Sequence, residues 1–267
     1  MTDVIEKAAD VILHVAGISK RYGKRTVLDD FSLQLATGQV CGLLGSNGSG
    51  KSTALHVIAG LVDAEIGDVW HADEHVTSKK SRQKFGFAPD DLPVPSSLTG
   101  REFLDVHASL RREGPRGLDE RLAALLELSD ALPSPMASYS HGMKRKLQLI
   151  AALAHRPSLL ILDEPFRGLD PDASMTLQDL IAAFAASGGA VLLATHDLHQ
   201  VSRHCDTLVV LHDGMTTLRG TVSELESIHG SIENVFLEAT GKQLNSVNRR
   251  KNIQAMFEEE GISIDRH

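Results

Sequence analysis

Gly45-Ser46-Asn47-Gly48-Ser49-Gly50-Lys51-Ser52 decides how this chain is read. It matches G-x-x-x-x-G-K-[ST], and it stands between Val40-Cys41-Gly42-Leu43-Leu44, apolar throughout, and a helix-like segment from Ser52 to Ala59. A buried strand, a glycine loop and a helix in that order make a βα unit of a parallel sheet. The glycines let successive backbone N–H groups turn inward around phosphates, and the helix N-terminus adds a favourable dipole. Lys51 reaches the β and γ oxygens, and Ser52 can ligate Mg²⁺. The loop therefore predicts a nucleoside triphosphate held by Gly45, Ser46, Asn47, Gly48, Ser49, Gly50, Lys51, Ser52 and Thr53.

A second stretch supplies the rest of such a site. Leu159-Leu160-Ile161-Leu162-Asp163-Glu164 is a buried strand that delivers two acids at its C-terminal edge, where α/β sheets place their ligands. Asp163 is expected to hold Mg²⁺ through water, and Glu164 to polarise an attacking water, because phosphoryl transfer rests on positioning and charge compensation. His196 follows the strand Val191-Leu192-Leu193-Ala194 by way of Thr195, at the place for an imidazole donor to the γ-phosphate. His71-Ala72-Asp73-Glu74-His75 also reads H-x-x-E-H, a zinc pattern when helical. It follows the strand-like Asp68-Val69-Trp70, so a metal role is rejected.

Outward from these motifs the chain changes texture twice. Val11 to Ile18 and Thr26 to Leu35 partly alternate apolar with polar residues around a turn at Tyr22-Gly23, as half-buried antiparallel strands do. Pro89 to Pro95 holds three prolines and cannot be a helix interior or a central strand, and only helical patterns follow it. Thr99 and Glu102 have the capping-box spacing, Leu118 to Leu128 carries leucines at helical period, and Ser140 can cap a third helix. Strands return at Leu159, Val191 and Leu208, with a helix from Asp170-Pro171 to Gly188-Gly189 between the first two. The expected fold is α/β: a three-layer P-loop NTPase core (1–88 and 155–230) with an antiparallel β subdomain, an inserted all-helical subdomain (89–154) and a C-terminal extension (231–267). The polar stretch from Asn245 is expected to be a mobile tail or a short helix.

The bulk composition narrows the class. A chain of 267 residues, 42% hydrophobic, can bury a large core, and its net charge of −8 argues against a phosphate-covered partner such as nucleic acid. Cys41 and Cys205, far apart in sequence, read as reduced core residues. Met1 to Glu6 is acidic and lacks the basic, apolar pattern of a secretory signal, and no run approaches the roughly 18 apolar residues of a membrane span, so a cytoplasmic protein is expected.

In this order the motifs resemble the ABC transporter ATPase family over roughly residues 11 to 240. The diagnostic element is Tyr139-Ser140-His141-Gly142-Met143, which looks like that family's signature loop in a form often seen in bacterial exporter ATPases. The resemblance implies that Ser140 and Gly142 face the γ-phosphate bound by an opposite subunit, that Gly168-Leu169-Asp170 crosses the dimer seam, and that Tyr22 stacks on adenine. It implies an ATPase using ATP and Mg²⁺, with Glu164, His196 and Lys51 catalytic. The partners implied are a second ATPase subunit, in a homo- or heterodimer, and a separate transmembrane permease at the cytoplasmic face of the inner membrane. His141 and Met143 replace the more usual Gly and Gln. Asp90 stands where the family most often has glutamine and is expected to act on Mg²⁺ through water. Export is favoured by the signature form and by Ile232-Glu233-Asn234-Val235-Phe236-Leu237-Glu238, which resembles a segment common in exporter ATPases. The apolar residues after Asp90, namely Leu92, Val94 and Leu98, are expected to dock a permease helix, or else to pack under the helical subdomain. The alternative function is a soluble ABC ATPase that remodels nucleic acid or ribosomes. Such proteins usually carry tandem cassettes, coiled coils or zinc insertions, and one phosphate loop without them argues against it.

Overall fold

The computed structural model of the protein describes residues 11–90, 95–111, 117–242 and 255–256. Its centre is a six-stranded sheet made of β3 (Val40–Leu44), β6 (Phe85–Ala88), β7 (Leu159–Asp163), β8 (Ala190–Thr195), β9 (Thr207–His212) and β10 (Met215–Thr221). Their order is β10-β9-β3-β8-β7-β6, parallel throughout except for β10, which pairs antiparallel with β9.

The alternation of side chains along each central strand builds the three layers. Val40 and Leu44 of β3, Leu160 and Leu162 of β7, Val191 and Leu193 of β8, and Leu208 and Val210 of β9 enter one buried cluster. Their neighbours Cys41 and Leu43, Leu159 and Ile161, Leu192 and Ala194, and Val209 and Leu211 enter the other. Both faces are covered, which is why these strands read as unbroken apolar runs. Burying each such side chain contributes about 1.5–3 kcal/mol.

The first cluster is closed by α3 (Gly100–Arg111), α4 (Leu118–Leu125), α5 (His141–Leu153), α6 (Pro171–Ala186), α7 (Leu198–His204), α8 (Val222–His229) and α9 (Ile232–Ala239). The second is closed by α1 (Lys51–Ile58) and by a four-stranded antiparallel sheet. That sheet has β1 (Val11–Tyr22), β2 (Arg25–Ala36), β4 (Ile66–His71) and β5 (Glu74–His75) in the order β2-β1-β4-β5. Helices α3, α4 and α5 stand between β6 and β7, two strands that pair directly. Among the described residues no helix is long and apolar enough to cross a membrane.

The local signals hold where a cap or a burial pattern carries them. Thr99 N–H donates to Glu102 Oε2 (2.8 Å) while Glu102 N–H donates to Thr99 Oγ1 (3.2 Å), closing the capping box. Ser140 accepts from Met143 N–H at 3.1 Å to start α5, and Asp170 accepts from Ala173 N–H at 2.8 Å to start α6, with Pro171 in its first turn. Cys41 and Cys205 are free and buried, and burial pushes the Cys41 thiol up to about 11.

Two expectations change, one segment carries no sequence signal, and one alternative is decided. Strand β1 runs on to Tyr22, because register shifts after Val15 break the alternation without ending the ladder. Helix α4 stops at Leu125, since Glu127 adopts φ 54°, yet Leu126 and Leu128 remain buried. Helix α2 (Lys79–Lys84), capped by Ser78, has no apolar period to announce it. Leu98 is half-buried and packs against the helical core, where its carbonyl accepts from Met136 N–H at 2.8 Å, so it belongs under the helices rather than on a docking surface. Leu92, Val94 and the tail from Asn245, read as a mobile tail or a short helix, lie outside the described residues, apart from 255–256.

Candidate functional site

A cavity of about 500 Å³ opens at the C-terminal edge of the central sheet. Tyr22, Ser46, Asn47, Gly48, Gly50, Lys51, Ser52, Thr53, Asp90, Asp163, Glu164 and His196 line it, joined by Arg25, Val27 and Arg167. Sheet topology brings them together: β3, β7 and β8 are adjacent and parallel, so the loops that leave their ends converge.

The loop from 45 to 50 leads into α1, whose first-turn N–H groups have no partner within the helix. Gly50 holds φ 110°, and a Cβ there would lie 2.8 Å from Val27 O, so no other residue fits. A side chain at Gly45 would collide with Ser49 Oγ and come 2.6 Å from Leu211 O. Gly45 and Ser49 shape the loop from behind and do not line the cavity. The Lys51 ammonium donates to Gly45 O at 2.7 Å and lies 4.0 Å from Glu164 Oε1. Burial pulls its pKa down, and the charges of Glu164, Asp163 and Asp90 pull it back.

Ser52 Oγ donates to Asp163 Oδ2 at 3.0 Å, which sets a hydroxyl and a carboxylate side by side at the start of the helix. Burial raises the Asp163 pKa, the Ser52 hydrogen bond opposes this, and Asp90 and Glu164 add to it. The Ser52 hydroxyl and the Asp163 carboxylate form an oxygen-rich corner. That donor chemistry fits Mg²⁺, which takes one or two carboxylates and completes its shell with water and phosphate oxygens.

Glu164 is the most constrained residue of the site. Its backbone sits at φ 47°, a left-handed conformation that costs a non-glycine residue on the order of 1 kcal/mol. Four contacts hold it there: Glu164 N–H donates to Ala194 O (2.8 Å), Thr195 Oγ1 donates to Oε2 (3.0 Å), and His196 N–H (3.0 Å) and Nδ1 (2.6 Å) both reach Oε1. The pairing of Asp163 with Ala194 across β7 and β8 sets up this arrangement.

Ser140, Gly142 and Asp170 lie outside this cavity. Gly142 packs against Gly168 so closely that a Cβ would stand 2.8 Å from Gly168 O, and a Cβ on Gly168 would meet His141. Asp170 pairs with Lys146 Nζ of α5 at 3.2 Å while capping α6. The start of α5 and the loop after Glu164 therefore form one surface, separate from the chain's own phosphate loop. The H-x-x-E-H residues lie on the β4–β5 hairpin: His71 hydrogen-bonds Ser81 O and Ser158 Oγ, and His75 pairs with Asp68 at 3.4 Å.

Three residues that sequence reasoning passed over belong to the site. Thr195 holds Glu164, and the only sequence signal for it is its place directly before His196. Arg167 forms an ion pair with Asp90, Nη1 to Oδ2 2.6 Å. Arg145, 2% exposed on α5, donates to Pro89 O, Asp163 O and Pro165 O, joining the helix to both acidic edges of the site.

Known proteins share this fold. A family model described as ABC transporter matches residues 28–167. The chain is 37% identical over 215 residues to a Nod factor export ATP-binding protein I of Rhizobium leguminosarum bv. viciae, covering 79% of this chain and 69% of that protein. It is 32% identical over 238 residues to the ABC-type transporter ATP-binding protein EcsA of Bacillus subtilis (strain 168), covering 86% and 96%. A solved ATP binding subunit of an ABC transporter superposes with a TM-score of 0.80 at 31% identity, over 85% of this chain and 99% of that one. This chain belongs to the ABC transporter family as an ATP-binding, ATP-hydrolysing subunit.

Proposed function

We propose that two such subunits close around two Mg-ATP molecules and that their closing and opening drive a separate transmembrane permease in export. The observation that carries this reading is the separation of Ser140 and Gly142 from the chain's own cavity. A signature surface that lacks phosphate-loop neighbours in its own chain is suited to complete the site of a second copy. The export direction rests on the form of Tyr139 to Met143, on the segment Ile232 to Glu238, and on the likeness to a Nod factor export protein. The permease carries the subunit at the cytoplasmic face of the membrane. Residues 1–88 and 155–230 form the nucleotide-binding core, 89–154 the signature-bearing lobe, and 231–267 an extension.

Bound Mg-ATP supplies the phosphoanhydride bond to be broken and a cation that draws charge from the phosphate oxygens. Tyr22 offers its exposed ring to the base. Lys51 and the loop N–H groups would hold the phosphates, and Ser52 and Asp163 would hold the cation. Glu164 orients the attacking water and accepts its proton, and His196 donates from its ring to the γ-phosphate. Asp90 would act on the cation only through water, tuning closure rather than chemistry. Ser140 and Gly142 offer helix N-terminal donors to the partner's γ-phosphate, beside Asp170 at the seam.

Light scattering tests the dimer. Glu164→Gln with Mg-ATP is expected to show twice the monomer mass, and Glu164→Gln/Ser140→Arg to remain monomeric because a bulky cation blocks the surface. A Glu164→Gln chain that stays monomeric at saturating Mg-ATP contradicts the proposal.

A further inference from the structure

Asp90 poses an electrostatic problem that the fold answers. Its carboxylate lines the same cavity as Lys51, Ser52 and Glu164. A carboxylate beside the phosphate loop repels a triphosphate, whereas an amide in that place would not. Arg167, 77 positions along the chain, puts Nη1 2.6 Å from Asp90 Oδ2. It too lines the cavity, and its side chain is 64% exposed, so the pair faces the ligand space and not the core.

The pair is held by a third residue. Arg145 donates from Nη1 to the carbonyl of Pro89, directly before Asp90, and from Nε to the carbonyl of Pro165, two residues before Arg167. Arg167 N–H in turn bonds Glu164 O at 3.1 Å. One buried guanidinium of α5 thus fixes both backbones that present the pair. Exposed ion pairs add little to folding, so this pair's position matters more for the ligand than for stability.

We propose that Arg167 is a specificity-determining residue of the nucleotide site: by neutralising Asp90 it removes the repulsion between that carboxylate and a γ-phosphate, and so sets the preference for ATP over ADP. Arg167 acts through Asp90 and is a positioning residue, not a catalytic one. The inference rests on the ATP-site reading given above and deepens it.

Equilibrium binding of Mg-ATP and Mg-ADP by calorimetry, with no turnover needed, tests it in four chains. Wild type is expected to bind both nucleotides. Arg167→Ala should lose about tenfold in ATP affinity, the effect of one uncompensated charge near a protein surface, with ADP affinity changed less than about twofold. In the Asp90→Asn background the same Arg167→Ala change should alter ATP affinity by less than about twofold relative to Asp90→Asn alone, because removing the carboxylate removes the need for its partner. Unchanged ATP affinity in Arg167→Ala, equal loss for both nucleotides, or the same loss in the Asp90→Asn background would each overturn the proposal while leaving the ATP site standing. A wild-type chain that binds neither nucleotide would overturn the site reading and the inference with it.

Discussion

Glu164 Oε1 lies 2.6 Å from His196 Nδ1 and 3.0 Å from the His196 backbone N–H, so one residue at the end of β8 grips one carboxylate oxygen twice. The other oxygen is held by Thr195. With Nδ1–H donating to Glu164, Nε2 can donate to a phosphate only when the ring carries both protons. The acid at the end of β7 and the imidazole at the end of β8 therefore work as a positioned pair, and the left-handed backbone of Glu164 is the conformation that lets them meet.

Thr195→Val should expose that dependence. It keeps the shape of the side chain and removes the hydrogen bond to Glu164 Oε2, together with the acceptor that Thr195 Oγ1 offers Asp197 N–H at 3.0 Å. The expected result is a fall in kcat of about tenfold, in keeping with the loss of one hydrogen bond to a charged group. Nucleotide affinity should not change, and Thr195→Ser should restore turnover. Steady-state ATPase assays beside binding titrations check both halves.

Lys51→Ala removes a cation already placed by the loop carbonyls of Gly45 and Ser46. ATP affinity should fall about 10- to 100-fold, the range for a charge-assisted hydrogen bond. Calorimetry that shows unchanged affinity would remove Lys51 from the phosphate site.

Two glycines of the loop should respond differently to alanine. At Gly50 a methyl group meets Val27 O as well as an unfavourable φ of 110°, so Gly50→Ala should cost about 1–3 kcal/mol and abolish nucleotide binding. At Gly48, φ is 81° but nothing lies within 4 Å of the added carbon. Gly48→Ala should cost only about 1 kcal/mol and leave weakened binding. Denaturant midpoints and binding titrations on the two variants give the comparison.

Acid should destabilise the fold through His155. Burial, with the adjacent Arg111 charge, presses its pKa down to about 4, against about 6.5 for an unfolded chain. Between those values the unfolded chain takes up the proton and the folded one does not. Stability therefore falls as pH drops from about 6.5 towards about 4, and the loss is complete below both. His107, pushed down mainly by burial, adds to the same limb. His155→Gln should flatten part of the acid limb when urea midpoints are compared at about pH 7.5 and about pH 5.

Much of the architecture could be read from residues because the physics was local. Val40 to Leu44 and Leu159 to Leu162 are apolar throughout since both faces of the sheet are covered. The caps at Thr99, Ser140 and Asp170 act within three residues. The contacts that finish the site span much greater separations. Arg167 reaches back 77 residues to Asp90, Arg145 reaches 56 to Pro89, and Thr195 reaches 31 to Glu164. Each depends on which strands the fold sets side by side, and no pattern of spacing carries that information. Tyr22 is intermediate: its turn was legible, but its place over the cavity needed a strand whose register shifts hide the alternation.

Glu164 is proposed to activate the attacking water. Glu164→Gln keeps the side chain's size and most of its contacts while removing the base. Single-turnover hydrolysis of bound ATP, measured beside ATP affinity, tests the claim most directly. Affinity within about twofold of wild type is expected, with hydrolysis slowed about 10²- to 10⁴-fold, the range for a positioned general base. Hydrolysis by Glu164→Gln at the wild-type rate, with ATP still bound, would contradict it.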